Sequence, residues 1–173
     1  MNKYFKTAEK VVDFNSESEV ADSYNQGFVF TRLGKGHMDQ TRSLRIDLSK
    51  FELSSENKRI LNKTESLSSD YHSLPLEDYS WEIHKMGKEF YSKKFGDGTM
   101  SAQKIKEMFT DMQVSNMNGC FTYYVIRNTY DVEQDSKVQN SQTKTVAGYC
   151  LCHINSEIIH YAYPFYDLES AES

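Results

Sequence analysis

The hydrophobic pattern of this chain changes its period at Gly119. Before that point, apolar residues recur every three or four positions: Tyr79, Ile83, Met86 and Phe90, then Ile105, Met108, Phe109 and Met112. That spacing lines one face of an α-helix. After it come CFTYYVIR (120–127), TVAGYCLCHI (145–154) and IIHYAYPFYDL (158–168), rich in the aromatic and β-branched residues that suit strands. The polar loop 131–142 and the tight turn Asn155-Ser156-Glu157 join these three into an antiparallel meander. Helices first and a meander afterwards predict an α+β domain built on one mostly antiparallel sheet flanked by helices.

The earlier half supplies the remaining elements. Ser16-Glu17-Ser18-Glu19 has the form of a capping box before a helix over 17–25, which Gly27 ends. A strand is expected at 28–31. Another is expected at 42–48 (RSLRIDL), where Leu44, Ile46 and Leu48 alternate with Arg45 and Asp47. The segment between them, RLGKGHMDQT, reads as a turn or loop. Ser54 or Ser55 caps a helix over 56–64, with Ile60 and Leu61 inward and Lys58, Arg59 and Lys63 outward. Residues 64–75 read as a surface loop. Helices over 77–95, ended by Gly96-Asp97-Gly98, and over 101–113, capped by Ser101, complete the set.

At 173 residues the chain fits one domain. The division expected is a weakly patterned segment over 1–15, the domain over 16–169 and a tail over 170–173. Lys plus Arg number 20 and Asp plus Glu 25, a net charge of -5, which excludes a uniformly basic nucleic-acid coat. No apolar run is long enough for a secretory signal or a membrane span, so no membrane partner is expected. Three cysteines, Cys120, Cys150 and Cys152, are too few and too uneven for a disulfide framework, which points to the cytoplasm.

Four local patterns stand out. Cys150-x-Cys152-His153 with Cys120 and His160 invites a zinc reading, but alternation turns His153 away from the two thiols, so buried core thiols and no metal are expected. RLGKG (32–36) has the look of a pyrophosphate-cradling turn, yet a strand and not a helix follows it, so an ordinary loop is expected. Arg32, Arg42, Arg45, Lys58, Arg59 and Lys63 concentrate positive charge in an otherwise acidic chain, a pattern that can meet phosphates. The aromatic run His160 to Asp167 holds Pro164, which cannot donate to a ladder and so belongs on an edge or at a bulge.

Two segments together resemble a known family. RSLRIDLSKFELSSENKRILNK (42–63) is similar to the strand and helix start of the arginyl-tRNA–protein transferases, the likeness lying in Phe51 to Ser55 and Lys58 to Leu61. YAYPFYDLE (161–169) resembles the family's Tyr-x-Phe-Tyr-Asp-Pro strand end at Tyr163, Phe165, Tyr166 and Asp167, with Leu168 where the family has Pro. Gly27, Arg32 and Gly34 follow its Gly–Arg–Gly turn, and the order of all three agrees over about residues 17–169.

The resemblance implies a GNAT-like acyltransferase fold that moves arginine from charged tRNA to a protein N-terminus, usually Asp or Glu. It implies no cofactor, because the aminoacyl ester of tRNA is already activated. The family's Cys-rich N-terminal module has no counterpart before Cys120. Family members continue past the Phe-Tyr-Asp strand into a Ser-Leu-Gly turn, a helix and further strands. The expectation is therefore the front half of a catalytic domain, with a second polypeptide to complete the fold and the catalytic competence of the chain alone left open. By the resemblance, Asp167 takes the proton of the acceptor amine, and Tyr163 and Tyr166 position the ester or stack on the terminal adenosine. Phe165 sits with them at the substrate, and Arg42, Arg45, Lys58, Arg59 and Lys63 hold tRNA phosphates or an acidic acceptor. Two alternatives stay open: a GNAT-type N-acyltransferase using acyl-CoA, and a non-catalytic module that binds protein termini or tRNA.

Overall fold

The computed structural model describes residues 5–132 and 138–168, with backbone alone over 128–132 and 138–141. The chain is α+β. In order it runs β1 (Lys6–Val11), α1 (Glu17–Asn25), β2 (Phe28–Phe30), β3 (His37–Thr41), a 3₁₀ turn (Leu48–Lys50), α2 (Ser55–Lys63), β4 (Leu67–Ser73), α3 (Trp81–Phe95), α4 (Ala102–Thr110), β5 (Gly119–Val132), β6 (Val138–Ile154) and β7 (Ile159–Tyr166). Every described strand pairing is antiparallel. The strands form two sheets rather than the expected one, a three-stranded sheet in the order β1-β3-β2 and a four-stranded sheet in the order β4-β5-β6-β7. Among the described residues no helix is long and apolar enough to cross a membrane.

Several expected elements fall where local chemistry puts them. Ser16 accepts from the Glu19 amide at the start of α1, but the Glu19 carboxylate reaches Asp13 rather than closing the box. Ser101 caps α4, and Gly96, with φ +97°, ends α3. Ile83 and Phe90 on α3 and Ile105, Met108 and Phe109 on α4 turn inward. They meet Phe165, Leu151, Met38 and Val20 in one core that both sheets share. Each such large apolar side chain contributes about 1.5–3 kcal/mol of burial. Pro164 does lie on an edge strand, since β7 closes one side of its sheet.

Other expectations fail for stated reasons. Residues 42–48 form no strand, and Leu44 and Leu48 are 89% and 69% exposed. The strand is His37–Thr41, inside the segment read as a loop. Gly36, with φ +78°, leads the chain into β3, which pairs with β2 from Phe30–Met38 to Phe28–Gln40 and with β1 from Val11–His37 to Lys6–Thr41. Residues 6–11, part of the segment read as weakly patterned, supply the outer strand β1, whose side chains are nearly all exposed. Residues 67–73, read as loop, are β4, a polar edge strand paired with β5 from Leu67–Val125 to Ser73–Gly119. Pairing of β5 with β6 runs on to Val132–Val138, well into the expected loop 131–142. The helix expected from 77 starts at Trp81, and the one expected to 113 ends at Thr110. Ile60 and Leu61 are not inward: α2 buries no residue. The expected tail, 170–173, lies outside the described residues.

Asn116 ties the sheets together. Its side-chain amide donates to the carbonyls of Thr31 (2.8 Å) and Gly34 (2.6 Å), and its side-chain oxygen accepts from the Gly36 amide (2.7 Å). The RLGKG turn is thus held to the second sheet, its Gly36 amide turned inward rather than toward a phosphate. A side chain at Gly36 would strike the Val12 carbonyl.

Candidate substrate groove

The end of β7 reaches the surface beside α3. Along an extended strand, neighbouring side chains point to opposite sides. Phe165 takes the inner side, 1% exposed, with its ring 6.1 Å from Phe109 and 5.6 Å from Tyr149. Tyr166 takes the outer side, edge-on to Phe90 at 4.7 Å. The Asp167 amide donates to the Ala147 carbonyl (2.9 Å), which fixes the backbone just beyond the strand. Two close approaches hold this end in place. Gly148 lies so near that a side chain on it would meet the Phe165 carbonyl at 2.6 Å and Tyr166 Cβ at 2.7 Å. The Tyr91 hydroxyl donates to the Pro164 carbonyl (3.1 Å).

Between α3 and this strand end runs a groove of about 800 Å³, whose lining includes Tyr166 and Asp167. The helix wall carries Trp81, Lys85, Glu89 and Lys93, each four residues after the last and so on one face. Lys85 sits 5.6 Å over the Trp81 ring and 4.0 Å from Glu89. Glu82, Glu89, Asp97 and Asp167 outnumber Lys85 and Lys93, so the groove is acidic with an aromatic floor. Hydrogen bonding from Ser80 holds the Glu82 carboxyl below its usual range. Aromatic faces and carboxylates together suit an ammonium group.

The structure separates the residues that sequence reasoning grouped. Tyr166 and Asp167 share the groove. Tyr163 lines a different crevice, with Arg32, Lys104 and Glu107, in which no space of water size remains. Phe165 is a core residue: its ring is enclosed by α4 and β6, so it packs and does not face a ligand. None of the five basic residues lines the groove. Arg42 stacks over Phe5 at 5.2 Å, Arg45 donates to Asn25 (2.6 Å), Arg59 is held by Glu56 (2.7 Å), and Lys58 and Lys63 stand on α2, which buries no residue. Sequence reasoning missed the α3 wall, although the four-residue spacing of Trp81, Lys85, Glu89 and Lys93 was there to be read.

The thiols are inert. Burial first, then the neighbouring thiols, push Cys120 up to about 12; burial pushes Cys150 up to about 12 and Cys152 up to about 11. Among the described residues no group of three His, Cys, Asp or Glu side chains is placed to hold a metal ion.

Comparison with protein-family models, curated proteins and solved structures finds no match.

Proposed function

We propose that this protein is an aminoacyl-tRNA–protein transferase-like acyltransferase, moving an amino acid, arginine by the resemblance, from charged tRNA to a protein N-terminus. The observation that carries the reading is Asp167 in the lining of an acidic, aromatic groove, next to Tyr166. This is where an incoming α-ammonium is held, and its pKa of about 7.7–8.0 means that it must lose a proton to react. Asp167 takes that proton. The free amine attacks the ester carbonyl, the new amide bond forms, and the bond to the ribose oxygen of the terminal adenosine breaks. Asp167 passes that proton to the departing oxygen, and the second proton that the nitrogen sheds as the amide forms leaves to solvent. Because the ester is already activated, positioning supplies most of the acceleration, and no cofactor enters. Tyr166 offers a ring for the acceptor backbone or the adenosine. Arg42, Arg45, Lys58, Arg59 and Lys63 meet tRNA phosphates away from the groove. The donor places the reaction in the cytoplasm.

The test is incubation with tRNA charged with labelled arginine and a peptide beginning with Asp. Label in the peptide supports the reading. Transfer from acyl-CoA instead would favour a GNAT-type N-acyltransferase. Peptide binding without transfer from either donor would favour a binding module.

A further inference from the structure

The groove between α3 and the end of β7 is longer than one ammonium group needs. Its lining follows α3 from Trp81 at the start of the helix to Asp97, just past its end. At about 1.5 Å of rise per helical residue, that wall is about 20 Å long. An extended chain covers about 3.3–3.6 Å per residue, so the wall has room for about six residues of a peptide.

The ammonium site stands near the middle of this wall. The Tyr166 ring packs against Phe90 at 4.7 Å, and Asp167 follows Tyr166 in the chain. Glu82 lies toward one end of the wall and Asp97 at the other. Both side chains are exposed, and among the described residues neither makes an ion pair. Lys85, between Trp81 and Glu89, is occupied by both. A chain that leaves Asp167 in either direction therefore runs toward a carboxylate.

Charge then selects what that chain carries. The groove holds four carboxylates against two lysines. The Asp or Glu expected at the acceptor terminus adds one more carboxylate, and a cation close behind it offsets the excess. Glu82 is eight residues before Phe90, about 12 Å along the helix, a span that three or four extended residues cover.

We propose that the acceptor is a chain whose first residue is followed, within about four residues, by a lysine or arginine that Glu82 or Asp97 holds. The inference rests on the reading that a protein N-terminus enters this groove with its ammonium at Asp167.

Trp81, the single tryptophan of the chain, lines the groove and serves as the probe. Its fluorescence is titrated, without tRNA, with three peptides that begin with Asp and continue with three Lys, three Ala or three Glu. The Lys peptide should bind about tenfold more tightly than the Glu peptide, with the Ala peptide between them, and the difference should shrink as salt rises. Glu82→Gln with Asp97→Asn should bring the three affinities together. Equal affinities in the wild type, or a preference undiminished in the double variant, would overturn the proposal. The same peptides are then given tRNA charged with labelled arginine. Label reaching all three at equal rates would overturn the cationic preference and leave the transferase reading standing. A preference for Lys in binding, with label reaching none, would support the preference and remove the transferase reading.

Discussion

The Tyr24 hydroxyl on α1 and His160 Nδ1 on β7 stand 2.9 Å apart, a hydrogen bond that spans the seam between the two halves of the fold. His160 faces His153 across the β6–β7 ladder. His153 Nδ1 donates to the Asn116 carbonyl (3.1 Å), and its Nε2 is buried with no hydrogen-bond partner among the described residues. Phe14, Phe30 and Tyr24 surround it. The buried Nε2 of His153 has no partner among the described residues for a second proton.

Stability should therefore fall with acid. Burial first, then His153, lowers His160 from 6.5 to about 4, and burial lowers His153 as well. Between these values the unfolded chain binds the protons and the folded chain does not. The contribution is complete above about pH 6.5 and lost as the pH falls toward 4, on the order of 3 kcal/mol for His160. Urea unfolding between pH 7.5 and 5 reads this before most carboxylates titrate. His160→Gln should flatten the slope. A free energy independent of pH across that window would contradict the burial of both rings.

Gly148 should tolerate no side chain. An added Cβ meets backbone and Cβ atoms of Phe165 and Tyr166, which cannot swing aside. Gly148→Ala should cost about 1–3 kcal/mol and loosen the strand end that lines the groove. Thermal unfolding measures the first effect, and quenching of Trp81 fluorescence by acrylamide reports on the second. An unchanged melting temperature would show that the strand end has room the structure denies it.

The three thiols should resist alkylation. The reactive species is the thiolate, and burial keeps each cysteine protonated. Iodoacetamide at pH 8 should leave the native chain unmodified and add three groups in urea, counted by mass spectrometry. Rapid labelling of Cys152 in the native chain would place that thiol on the surface.

The parts of the fold legible in the sequence are those in which a residue's own neighbours decide its state. Ser101 with Ile105, Met108 and Phe109 specifies α4, and the dense aromatic and β-branched runs specify β5 to β7. The parts that were not legible depend on distant partners. HMDQT buries Met38 and Asp39 yet looks polar, and it is a strand because β1 and β2 flank it on both sides. RSLRIDL has the better pattern and no neighbouring strand. β4 is polar because it is an edge, so no hydrophobic alternation marks it. At the groove, Tyr166 and Asp167 are legible through a motif. The same motif groups Phe165 with them, although alternation along the strand sends it the other way.

If the basic residues of the 42–63 stretch meet tRNA, affinity should fall steeply with salt. Lys58→Glu with Arg59→Glu should weaken binding and flatten the salt slope by about one unit for each phosphate no longer neutralised. Neither side chain is buried, so folding should be unaffected. Filter binding across a salt series makes the measurement. Equal affinities and slopes for wild type and variant would remove these two residues from tRNA binding.

The most direct test of the central claim follows labelled arginine from charged tRNA to two peptides, one with a free N-terminal Asp and one with that terminus acetylated. Wild type and Asp167→Asn are compared at equal tRNA occupancy. The account predicts transfer to the free amine alone, with Asp167→Asn slower by about 10²-fold or more and its tRNA affinity unchanged. Label reaching neither peptide, or Asp167→Asn transferring at the wild-type rate, would contradict it.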